Sequence, residues 1–164
     1  MSELHDLFLI AHSCTRWWVL AACIATVAYA LAAGKAPRAW RGSERRDQLV
    51  ARVLVASVDV QVLLGMSLYL ALSPLARAAR QLWADEGLRA LWAQPELRFF
   101  GLIHPALALC AALLAHAGGV AVQRANTAEQ RQRRLAVGAA LPLVIFLAAV
   151  PWPLLGHERP WFRF

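Results

Sequence analysis

Residues 6–33 read DLFLIAHSCTRWWVLAACIATVAYALAA, an apolar run that stops at Gly34. Between Leu7 and Ala33 the only formally charged side chain is Arg16. A helix needs about 20 such residues to cross about 30 Å of hydrocarbon, so this stretch reads as a membrane span. Three more runs follow it: residues 48–72, which end at Ser73-Pro74, residues 98–121, which end near Gly118-Gly119, and residues 135–155. Transmembrane β-strands are about 10 residues long and alternate in polarity, and nothing here has that pattern. The expected fold is an all-α membrane protein, one four-transmembrane-helix bundle occupying residues 1–164.

Composition agrees with that reading. The chain is 60% hydrophobic and only 16% charged, with a mean hydropathy of +0.48, and its charges are bunched between the apolar runs. The net charge of +7 therefore does not point to nucleic acid. Positive loops beside membrane spans are what the topology rule requires, and the lipid bilayer is the first partner. The opening Met-Ser-Glu-Leu-His-Asp carries no positive segment, so a cleaved signal peptide is not expected and the first span should stay in the mature protein. Cys14, Cys23 and Cys110 all fall inside apolar runs. They read as small buried apolar residues and not as a disulfide or redox motif. Walker, GxGxxG, HExxH and nucleophile-elbow motifs are all missing from the sequence, which excludes a soluble catalytic domain of those kinds.

Arginine distribution sets the orientation. The first loop has Lys35, Arg38, Arg41, Arg45 and Arg46, and the third has Arg124, Arg131, Arg133 and Arg134. The second has Arg77, Arg80, Arg89 and Arg98 diluted by Asp85, Glu86 and Glu96, and the tail has Arg159 and Arg163. Loops one and three should face the cytoplasm, leaving both termini and loop two on the outer side of the membrane. Loop two places Leu75, Leu82, Trp83, Leu88, Leu91 and Trp92 among charges. It reads as a short amphipathic helix, or two, on the outer interface, broken or bent at Gly87. Trp17, Trp18, Trp40, Trp152 and Trp161 mark span edges as interfacial anchors.

Ionisable groups inside a bilayer are expensive and mark functional sites. His12 lies about six residues into the first span, and His104 lies six residues after Arg98 in the third. Both spans run inward, so both rings sit about 9 Å below the outer edge. Two imidazoles at matched depth on different helices can hold one haem iron between them, as cofactor ligands on facing helices of bundles do. Structural hydrogen bonding and another metal or proton path are the rival readings. His5, His12, Val19 and Cys23 fall at spacings of seven, seven and four, and Arg16 joins the same face. That stripe should turn inward, with His5 solvated at the surface. Arg16 and Asp59 both count to mid-depth and are expected to form an ion pair with Gln61 nearby. Arg16 is also placed to neutralise a cofactor propionate, and Arg98 is a second propionate partner at the outer end. His116 follows His104 by twelve residues, a rotation of about 120° at 100° per residue. That turns it off the first ligand's face, so one haem is expected and His116 is a polar helix contact. Pro105 removes the donor to the Gly101 carbonyl and should bend the third span. Ser57 and Gly65 allow close approach on the second span, and Met66 and Tyr69 are candidate pocket residues.

Together, His12-Ser13-x-x-Arg16-Trp17, Asp59-Val60-Gln61-x-Leu63-Leu64-Gly65-x-x-Leu68-Tyr69, Arg98-Phe99-Phe100 leading into His104-Pro105, Ala115-His116-Ala117-Gly118 and Pro151-Trp152-Pro153 resemble a family of small four-helix bacterial membrane proteins labelled cytochrome b-like. The resemblance covers nearly the whole chain and implies His12 and His104 as axial ligands of a b-type haem.

Three functions stand in view. The first is a haem b electron carrier or redox subunit near the outer membrane face. His12 and His104 would be its iron ligands, Arg16, Asp59 and Arg98 would tune charge, and its partner would be a quinone, a small redox protein or a larger respiratory complex. The second is a non-catalytic accessory subunit with structural histidines. The third is a copper or zinc binder or permease using His5, His12, His104 and His157, since imidazole suits those ions; the only methionines are Met1 and Met66, which speaks against soft-ion transport. A homo-oligomer is compatible with all three.

Overall fold

The computed structural model describes residues 2–35 and 43–152. Trp40, Trp161, His157 and the arginines at 38, 41, 159 and 163 lie outside them, as does the far end of the expected fourth span. The described chain is helical throughout, without a strand. Helix α1 covers Ser2–Lys35. Helix α2 covers Glu44–Ser67 and continues through a wider π-type turn, Leu68–Leu72. Helix α3 covers Pro74–Ala93, and the short α4 covers Pro95–Arg98. A second π-type turn, Phe99–Ile103, leads into α5, His104–Gln123, and α6 covers Ala128–Ala149.

Four stretches are long and apolar enough to cross a membrane: Glu3–Gly34, Glu44–Leu72, Pro95–Gln123 and Ala128–Ala149. Two of them start ahead of their apolar runs because helices extend into polar flanks where caps exist. Ser43 accepts from the Arg46 amide at 3.3 Å and Thr127 from the Gln130 amide at 3.2 Å, so α2 and α6 begin well before their apolar stretches do. The fourth stops at Ala149, with Val150 already extended (φ −67°, ψ 129°) and Pro151 following. Loop two is a helix, Pro74–Ala93, interrupted at Gly87, whose φ of 83° only glycine adopts freely.

α1 packs on α2 and α6, and α5 packs on the same two, so α1 and α5 occupy opposite corners of the bundle. Val19, Cys23, Val58, Ala111, Ala115 and Ala139 fill the centre. α5 and α6 meet backbone to backbone, where a Cβ on Gly118 would stand 2.7 Å from the Gly138 backbone, the small-residue contact that lets helices associate in lipid. The outside is the reverse of a soluble protein: Leu7, Ile24, Leu63, Leu113 and Val144 are all exposed. Cys14 and Cys110 are on that outer surface, contrary to the expectation of burial, and only Cys23 is interior. Their sequence neighbours are apolar because that surface is apolar too.

The end of the bundle away from loop two is closed by ions. Asp47 is fully buried and accepts from Tyr29 Oη at 2.8 Å, Gln132 Nε2 at 2.8 Å and Arg131 Nε at 3.2 Å. It thereby ties α1, α2 and α6 together. Arg134 donates to the Ala121 carbonyl at 2.7 Å near the end of α5. Two arginines counted as loop charges therefore serve the fold. Replacing Asp47 with alanine strands a buried guanidinium, which costs about 3–5 kcal/mol. Glu44→Ala, at 3.8 Å from Arg131 and mostly exposed, should cost below about 1 kcal/mol. Unfolding in mixed detergent micelles, followed by tryptophan fluorescence, should separate the two variants.

Candidate functional site

The other end of the bundle is irregular because two prolines and the end of α6 interrupt its hydrogen bonding. Pro74 and Pro105 have no N–H to give the carbonyls four residues earlier, those of Leu70 and Gly101, and α6 stops at Ala149 with Val150 extended, so the Ala149 carbonyl in its last turn has no helical donor either. Inside a membrane-spanning bundle a bare carbonyl costs several kcal/mol, so other donors must reach them. Arg80 donates to Leu70 at 3.2 Å and also to the Tyr69 carbonyl. The Tyr69 hydroxyl donates to Gly101 at 2.9 Å. His104 Nδ1 donates to Ala149 at 2.7 Å. The expected bend at Pro105 takes the form of the π-type turn that precedes it, in which the His104 amide bonds back to Phe99.

The Ala149 contact decides the chemistry of His104. A carbonyl only accepts, so Nδ1 carries the proton and Nε2 keeps a lone pair. Phe99 and Phe100 stack beside the ring, 5.8 and 6.0 Å between centroids, and hold its plane. His12 projects from the opposite corner of the bundle. Its ring centre is 6.1 Å from that of His104, with the planes 80° apart. Gln61 Nε2 lies 3.2 Å from His12 Nδ1, 3.4 Å from Nε2 and 3.2 Å from the His12 carbonyl, while its Oε1 accepts from the Thr15 hydroxyl. Gly65 leaves the room the ring needs: a Cβ there would stand 3.0 Å from His12 Cε1.

The two histidines line a cavity of about 640 Å³ that all four long helices share, a size usual for a cofactor or small-molecule site. Arg16, Met66 and Tyr69 line it, Phe146 and Ala149 bring α6 to its wall, and His5, Asp6 and Ser73 are also in its lining. Val19 and Cys23 continue the inward stripe of α1 as buried core.

Other expected pairings are not formed. Asp59 accepts from His116 Nε2 at 2.8 Å on the α2–α5 seam, and Arg16 donates to Ser13 Oγ at 3.4 Å and lies over the Trp17 ring. The Arg16–Asp59 ion pair fails because Gln61 faces α1, and two residues turn a helix by about 200°, pointing Asp59 away. Arg98 is not on the cavity wall. It donates to the Trp92 carbonyl at 2.9 Å and covers the Trp92 ring, closing the end of α3. Ser57 accepts from Trp18 Nε1 at 3.0 Å. His5 bonds Asp6 at 3.0 Å. Among the described residues no three His, Cys, Asp or Glu side chains gather as a ligand set. The Thr15–Gln61 contact and the Ala149 anchor are additions the sequence reading lacks. The second had a signal: Pro151 disfavours the helical conformation at Val150, so α6 stops at Ala149.

Comparison with family models, curated proteins and solved structures finds no match to this chain.

Tyr69→Phe keeps the ring but leaves the Gly101 carbonyl bare, and should destabilise the fold by about 1–3 kcal/mol in the same micelle unfolding measurement.

Proposed function

We propose that this chain is a b-type haem protein of a bacterial inner membrane. It carries electrons near the outer face through one haem held by His12 and His104. The observation that carries the reading is the 6.1 Å separation of two imidazole centres on opposite helices of the bundle. Two metal–nitrogen bonds of about 2 Å each, plus the half-widths of the rings, put the centres of a bis-histidine pair about 6 Å apart. Rings sharing the ligand axis are free to stand at any angle about it, including the 80° found here.

The residues present fit such a group. His104 offers Nε2 because the Ala149 carbonyl occupies Nδ1–H, the outer hydrogen bond that orients a metal-bound histidine. His12 offers Nε2 once the Gln61 amide turns its oxygen to Nδ1–H. Thr15 tolerates that turn, since its hydroxyl already reaches the Ala11 carbonyl at 2.9 Å and can accept from the amide nitrogen. Gly65 removes the side chain that would crowd the His12 ring. Arg16, on the cavity wall, supplies positive charge for a propionate. Haem would supply reversible one-electron chemistry, and the axial ligands and the charge of Arg16 would set its potential. Both termini and loop two would face the periplasm, with α3 on the outer interface, supported by the arginine-rich first and third loops. A quinone or a respiratory redox protein would be the electron partner. The chain is an electron carrier in this reading, not a stand-alone enzyme.

The test is spectroscopic. Full-length protein purified in detergent should show a b-type α band in its reduced-minus-oxidised spectrum. That band should vanish in His12→Ala and in His104→Ala, and Gly65→Leu should cut the haem content severalfold. A colourless protein that co-purifies with copper or zinc would replace the haem reading by metal transport. A colourless, metal-free protein would leave an accessory bundle with structural histidines.

A further inference from the structure

Asp59 and His116 stand outside the cavity. They face outward on the α2–α5 seam, His116 Nε2 to Asp59 Oδ1 at 2.8 Å, with side chains 43% and 54% exposed for Asp59 and His116. Their depth is the middle of the bundle. Asp59 lies between Ser57, which meets Trp18, and Gln61, which meets Thr15, and both partners are in the middle of the Glu3–Gly34 span. With the helices in a bilayer, this pair is held in hydrocarbon half uncovered. Ionisable side chains at that depth are costly and turn toward protein or a water-filled space, and the cavity does not reach them.

The surroundings point the same way. Leu63 and Leu113, 67% and 72% exposed, are the two most exposed large hydrophobic side chains among the described residues. Leu63 is one helical turn from Asp59, and Leu113 is one turn from His116. The seam thus carries a polar pair flanked by projecting leucines.

We infer that this patch is the centre of a homodimer interface within the membrane, occupied by a second copy of the chain. Two copies inserted with the same topology close into a dimer about a two-fold axis along the membrane normal, which keeps every residue at its depth. Each Asp59–His116 pair therefore meets the other at equal height. Within each protomer the pair uses one ring nitrogen and one carboxylate oxygen, Nε2 and Oδ1, and leaves Nδ1 and Oδ2 for a second contact. Across the axis the imidazole of one protomer meets the partner's Asp59, and the partner's His116 meets the first carboxylate in return. A different membrane protein would need its own polar pair at this depth, whereas symmetry supplies one. Apolar area alone does not drive association in lipid, where tails are as apolar as leucine, so interhelical hydrogen bonds specify the contact. This inference needs bilayer insertion but not haem.

The experiment uses full-length protein in liposomes over a range of protein-to-lipid ratios. In a Cys14→Ala, Cys110→Ala background, Leu113→Cys should oxidise to a disulfide-linked dimer. Val144→Cys, exposed on α6, should remain monomeric. Single-molecule photobleaching should count two chains per particle for the unmodified protein. It should count one for Asp59→Leu combined with His116→Leu, which removes both polar groups together and strands neither charge; tryptophan fluorescence checks that the variant is folded. A monomeric wild-type count, equal crosslinking from Val144→Cys, or a folded double variant that still dimerises would overturn the inference.

Discussion

A carbonyl that loses its helical donor cannot be left bare among apolar helices, and this constraint organises one whole end of the molecule. Pro74 and Pro105 each deprive a carbonyl of its N–H, and the end of α6 leaves a third at Ala149. Three side chains from elsewhere answer them: Arg80 from α3, Tyr69 from the end of α2, and His104 from the start of α5. Each repair crosses between elements, so each ties the irregular backbone to a neighbour. The bundle can carry two π-type turns and a cavity at this end without exposing polar backbone, because non-helical geometry at membrane depth is tolerated where protein surrounds it.

The opposite end is built on a different principle. There Gly118 and Gly138 bring α5 and α6 into backbone contact, and buried Asp47 ties α1, α2 and α6. A closed, ionically fastened end holds the helices so that the other end can stay open. α1 and α5 lie on opposite corners, and the space between them is filled by Val19, Cys23, Ala111 and Ala115 in the middle. It opens only where Gly65 and the two histidines stand.

What the sequence discloses follows from which coordinate of a helix one can count. Depth is countable. The four stretches able to cross a membrane follow from hydropathy, and counting inward from Arg98 and from the start of the first span brings His104 and His12 to one height, where their rings are neighbours. Rotation is harder, because it needs a reference residue on each helix. Arg16 and Asp59 share a depth and still miss each other, since Gln61 takes the face toward α1 and Asp59 the face toward α5. Long-range partners are hardest. Asp47 pairs with Arg131, a residue the topology rule reads as a loop charge, because α6 starts before its apolar stretch and carries that arginine inside. Arg98 likewise lies at the right height, but the turn out of α3 offers it the Trp92 carbonyl.

The two histidines are not equivalent, and the difference is physical. His104 has Nδ1 committed to the Ala149 carbonyl at the end of α6, so its tautomer is set by the chain itself. His12 is approached at both nitrogens by one amide, 3.2 and 3.4 Å away, and an amide presents a donor or an acceptor according to how it turns. Thr15, behind it, donates and accepts equally well. One ring is therefore fixed by backbone and the other adjustable through a side chain. The ring on α5 is thus the constant member of the pair and the ring on α1 the compliant one.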